Sequence, residues 1–64
     1  VTADKATKNA KELAYNESRP YAVFVRIHDN VHYIKPLDQV AENEPGLAMR
    51  VVIPREGGCS HIDV

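Results

Sequence analysis

Three groupings of residues in this chain have types and spacings that could do chemistry. Cys59, Ser60 and His61 place a thiol, a hydroxyl and an imidazole in succession, the components of a nucleophilic site. Catalytic Cys and His groups normally meet through the fold, in a cleft that lowers the thiol pKa. This trio follows Gly57-Gly58 near the end of the chain and reads as part of a solvent-exposed tail. His28 and His32 stand four apart, which on a helix would direct two imidazoles at one metal ion. Here Asp29-Asn30 lies between them as a tight-turn signal, and no Glu follows His28 as a metalloprotease motif requires. The expectation is no metal site and no cofactor. Gly57-Gly58 lacks the following Lys-Ser/Thr of a phosphate-binding loop.

The third grouping is the most suggestive. Phe24, Arg26, Tyr33, Lys35 and Arg50 alternate aromatic and basic side chains, the chemistry by which sheets stack bases and hold phosphates. The same residues suit a protein interface or a dimer contact. The chain carries 8 Lys/Arg against 9 Asp/Glu, a net charge of −1, and lacks the basic balance that drives binding to phosphates. A protein partner or self-association is therefore the leading expectation, with a nucleic-acid-binding regulator using Phe24/Tyr33 and Arg26/Lys35/Arg50 as the alternative.

These side chains must be positioned by few elements, because 64 residues make one small domain with a net stability of only about 3–5 kcal/mol. Ala3, Ala6, Ala10, Leu13 and Ala14 recur at helical spacing, which predicts a helix over 2–16 within an N-terminal unit spanning 1–18. Thr2 is its expected cap, and Pro20 ends it by disfavouring helical geometry at Arg19. The nearly all-alanine stripe buries little area but lets a backbone lie close against a sheet.

Residues 21–28 and 31–37 are rich in β-formers and predict a hairpin. With Asp29-Asn30 as a two-residue loop, Ile27 opposes His32, Val25 opposes Ile34 and Val23 opposes Pro36 on the core side. His28 with Val31, Arg26 with Tyr33 and Phe24 with Lys35 then occupy the other side. A three-residue loop would shift this register by one.

Residues 38–43 could form one helical turn capped by Asp38, and Asn43-Glu44-Pro45-Gly46 reads as a turn. A third strand spans 47–53, with Leu47, Met49, Val51 and Ile53 on one face and Ala48, Arg50 and Val52 on the other. Pro54 and the two glycines end it, leaving 55–64 as a tail, with a short fourth strand over 59–64 as the alternative.

The fold class expected is α+β: an N-terminal helix packed on a three-stranded antiparallel sheet, in αβββ order, with hairpin and third strand inside 20–54. One helix covers one face. The other is then expected to expose Phe24, Tyr33, Val31, Ala22 and Val52 among Arg26, Lys35 and Arg50, more apolar surface than a small monomer comfortably leaves bare. Asp38, Glu42 and Glu44 add an acidic turn suited to a basic protein surface.

Such a chain has little volume to shape a catalytic pocket, so a non-enzymatic binding or regulatory module is expected. Modulators of phage or plasmid type, accessory subunits of larger assemblies, and processed fragments that need a companion all fit. The lone Cys59 favours a reducing cytoplasm. No apolar run approaches the roughly 20 residues of a membrane span, and the first residues lack the apolar core of a signal peptide.

Overall fold

A computed structural model describes residues 3–63. An α-helix, α1 (Ala3–Glu17), is followed by strands β1 (Tyr21–Arg26) and β2 (His32–Pro36), a 3-10 turn at Leu37–Gln39, and strands β3 (Gly46–Arg55) and β4 (Gly58–Asp63). The sheet is antiparallel, in the order β2-β1-β3-β4. One helix on one antiparallel sheet agrees with the expected class, but the sheet has four strands rather than three. The expected cap Thr2 lies outside the described residues.

α1 uses its alanines as the spacing implies. Ala6, Ala10 and Ala14 are 3%, 0% and 0% exposed and pack with Tyr21, Val23 and Val52; Leu13, Ile34 and Cys59 close the cluster. The helix ends with Ser18 in the left-handed region (φ 52°) and the Arg19 N–H donating to Ala14 O at 3.3 Å. This six-residue closure satisfies one of the carbonyls a helix terminus leaves free.

The β1–β2 hairpin has a four-residue loop, 27–30, rather than Asp29-Asn30 alone. Arg26 N–H donates to Val31 O at 2.9 Å and Asn30 N–H to Arg26 O at 2.8 Å. Asn30 takes the left-handed conformation (φ 56°) that Asn tolerates, and Asp29 Oδ1 accepts from Val31 N–H at 3.2 Å. Phe24 therefore opposes Tyr33, Ala22 opposes Lys35, and Val25 opposes His32. This is a two-residue slip from the expected register. Because side chains alternate with period 2, the slip leaves every residue on its expected face.

β3 departs further. Val23 pairs with Arg50 but Phe24 pairs with Ala48, so Met49 is an extra residue bulged out against β1. The bulge inverts the alternation on either side of it. Arg50 and Val52 consequently face α1, not the opposite side where they were expected, and Val52 is 0% exposed in the core. Val51 and Ile53 face away from the helix.

Two further expectations are corrected. Pro54 lies inside β3 instead of ending it, and residues 58–63 form β4, not a tail. Glu56 and Gly57 make a two-residue turn with Gly57 at φ 80°, a backbone glycine adopts readily. β4 then pairs along its whole length, and Cys59 Sγ donates to Lys11 O at 3.2 Å, tying the strand to α1. The helical turn expected over 38–43 is shorter and earlier, with no side-chain cap.

The strand order carries the main consequence. β2 ends beside Tyr21, whereas β3 begins beside Arg26, so residues 37–45 must travel the length of β1 to connect them. One face of the sheet is taken by α1, and the contacts of Glu44 with Tyr33 and Lys35 place this crossover on the other.

Candidate interaction surface

The sheet face away from α1 divides into a sealed half and an open half. The sealed half lies over β1 and β2. Phe24 and Ala22, expected to be bare, are 3% and 1% exposed. Phe24 stacks on Tyr33 with ring centroids 5.2 Å apart and an interplanar angle of 11°, an aromatic pair across neighbouring strands.

A carboxylate latch holds the crossover down. The Glu44 side chain, 7% exposed, has Lys35 Nζ 3.0 Å from both oxygens. It also accepts from the Tyr33 hydroxyl at 3.1 Å and from Ala41 N–H at 3.4 Å. The Tyr33 oxygen in turn accepts from Gly46 N–H at 3.0 Å. Gly46 is needed here, because a Cβ at that position would stand 2.5 Å from the Tyr33 oxygen. The hydrogen bond from Lys35, more than any other contact, holds Glu44 below the usual carboxylate range. Burial, then the Glu44 hydrogen bond, pushes the Tyr33 phenol up.

The expected acidic turn is thus split among different tasks. Glu44 is the latch, Asp38 accepts from Arg19 Nη2 at 2.7 Å, and Glu42 is exposed. The basic residues are similarly engaged. Arg26 Nη2 donates to Asp29 at 3.0 Å, although its Nε is buried with no hydrogen-bond partner. Arg50, on the helix face, donates from Nη1 to Thr7 Oγ1 at 3.1 Å and from Nε to Asp63 Oδ1 at 2.7 Å. That bond holds Asp63 below its ordinary range. The structure therefore brings Phe24, Tyr33, Lys35 and Glu44 together with Arg26 at their margin, and it separates Arg50, Val52, Asp38 and Glu42 from them. His28 is exposed on the hairpin loop, and His32 lies on the helix face opposite Val25.

The open half lies over β3 and β4. Val51 and Ile53 are half-buried and Ala48 is exposed; Ile62, paired with Val51, is 57% exposed. Arg55 Nε donates to Ser60 Oγ at 2.7 Å along the same face. Ile53 and Val51 are the surface residues that sequence reasoning missed, and Ile62, whose apolar side chain near the chain end suits strand addition, lies in a strand rather than a tail. The weak alternation of Cys59 and His61 with Ser60 and Ile62 was the available signal, and it spans too few residues to distinguish a strand from a tail.

Backbone pairing decides which groups β4 turns outward. The bonds from Arg26 N–H to Val31 O and from Leu37 N–H to Pro20 O, the latter 3.0 Å, show that even-numbered residues of β1 bond β2. Odd-numbered ones then bond β3, so Arg50 and Val52 face β1, and Val51, Ile53 and Arg55 face β4. On β4 this directs Gly58, Ser60 and Ile62 inward to the ladder. The N–H and C=O of Cys59, His61 and Asp63 point outward from the edge. The same alternation places the ring nitrogen of Pro36 away from β1, at the outer edge of β2, where a missing donor breaks no ladder bond.

No family model, curated protein or solved structure matches this chain. No helix among the described residues is long and apolar enough to cross a membrane.

Proposed function

We propose that this domain is a non-catalytic protein-binding or regulatory module that meets its partner through the β3–β4 half of the sheet, as an accessory subunit or a modulator of another protein. The observation that carries this reading is the division of the helix-free face: the crossover seals the aromatic half, whereas Ile62 remains 57% exposed beside half-buried Val51 and Ile53. Apolar residues beside an unpaired strand edge suit recognition by strand addition, with backbone bonds giving affinity and alternate side chains giving specificity. The single thiol of the chain accords with a reducing, cytoplasmic setting.

The nucleic-acid reading draws no support from the geometry. Phe24 is buried and already stacked on Tyr33, while Lys35 and Arg26 are paired with carboxylates. A base would have to displace the crossover before it reached the Phe24 ring, which is 3% exposed.

Site-specific photo-crosslinking in the native cell tests the assignment. A benzophenone side chain at Ile62 is expected to give protein adducts of discrete mass, and the same group at the exposed Leu37, on the crossover, is expected to give none. Equal labelling from both positions, or adducts from Leu37 alone, would overturn the placement.

A further inference from the structure

The two edges of the sheet are not equally guarded against pairing. β2 is five residues long, contains Lys35 and Pro36, and is latched to the crossover through Lys35. Short length, lysine and proline are the devices by which proteins blunt an edge. β4 has six residues, Gly-Cys-Ser-His-Ile-Asp, with no lysine, arginine or proline. Its regular pairing with β3 contains no bulge.

The outward-facing groups of β4 are also complementary to themselves. If two β4 strands pair antiparallel about a two-fold axis, their outward residues must oppose one another, so the axis falls at a position that matches odd-numbered residues with odd-numbered ones. An axis through Ile62 opposes His61 of one copy with Asp63 of the other, and does so twice. It places the two Ile62 side chains across from each other at a non-hydrogen-bonded site, where strands approach most closely. An axis through His61 would instead oppose two imidazoles.

We infer that β4 is the pairing edge for a second copy of this chain, in an antiparallel register centred on Ile62. The pairing joins two four-stranded sheets into one and covers the exposed Ile62 side chains with each other. A C2 arrangement of this kind uses the same patch on both subunits. The inference rests on the proposed binding role of the β3–β4 half and assigns the strand edge of that half to a second copy.

Disulfide trapping reads the register directly. In a Cys59→Ser background, which keeps a donor toward Lys11, Ile62→Cys is expected to form a covalent dimer under mild oxidation. Ser60→Cys, displaced from the axis, is expected to crosslink at least tenfold more slowly. Far-ultraviolet circular dichroism confirms that both variants fold, and light scattering of the unmodified chain should give a dimer mass that falls on dilution. Faster trapping from Ser60→Cys would overturn the register. A monomer at every concentration would overturn the inference, and discrete adducts of a different protein at position 62 would then show that the binding role survives without self-pairing. Absence of both dimer and adducts would remove the two together.

Discussion

The halves of the helix-free sheet face differ in how their apolar groups are satisfied. Over β1 and β2, Phe24 is buried by its stack on Tyr33 and by a crossover that Glu44 pins through Lys35 and the Tyr33 hydroxyl. Over β3 and β4, Ile62 stands exposed beside an edge with unpaired backbone groups. The chain uses its aromatic-basic combination to hold itself together and leaves a plainer aliphatic strip free. Residue type alone therefore does not show which groups are free: the groups with the richest recognition chemistry are the ones already engaged.

Equivalent damage to the two halves should have unequal consequences. Phe24→Ala removes a buried ring and is expected to cost about 3–5 kcal/mol, comparable to the whole stability of a domain this small, so the variant should be largely unfolded by circular dichroism. Ile62→Ser on the open half should change stability by no more than about 0.5 kcal/mol in urea titration, while weakening association. If both variants unfold alike, the distinction between sealed and open halves fails.

A milder change reaches the latch without touching the rings. Gly46→Ala forces the Tyr33 hydroxyl aside and should cost roughly 1–3 kcal/mol, the usual range for inserting bulk into a packed site. Hydrogen exchange should accelerate at the Ala41 amide, which the latch holds, and at residue 46. Unchanged exchange there would mean that the crossover is held by something other than Glu44.

Acid should loosen the sealed half by the same route. The folded state depresses the Glu44 pKa below its ordinary 4.5, so the latch contributes fully above that value. Its contribution declines as pH falls through the lower, folded-state pKa. Asp63 acts in the same direction through Arg50. Glu44→Gln should flatten the acid limb of the stability profile and leave the Asp63 part; an unaltered profile would contradict the latch.

The smallest expected effect serves the comparison indirectly. Ser18 holds a left-handed conformation at the helix end, where glycine carries no Cβ penalty. Ser18→Gly should raise stability by up to about 1 kcal/mol, giving a background in which the latch variants can be measured while folded. A thermal-unfolding midpoint that falls would show that Ser18 contributes something besides its backbone geometry.

How far the sequence carried the reading depends on the kind of information each element needed. The alanine spacing of α1 and the β-rich runs of the hairpin are local patterns, and both elements form. The hairpin faces survived a wrong loop length because the slip was by two residues. The bulge at Met49 has no local signature, so Arg50 and Val52 were assigned to the wrong side. Nor did any residue announce that β3 pairs with β1 across from β2. That order sends 37–45 over the sheet, covers Phe24, and turns an expected acidic patch into a latch at Glu44. β4 was the less favoured of two readings because Gly57-Gly58 suits the start of a tail as well as a hairpin turn.

Residue-resolved amide exchange across a dilution series tests the asymmetry of the two edges most directly. The account predicts that the outward N–H groups of His61 and Asp63 become slowly exchanging as concentration rises, while that of Ile34, on the outer side of β2, does not change. Concentration-dependent protection at Ile34, with His61 and Asp63 exchanging freely throughout, would contradict it.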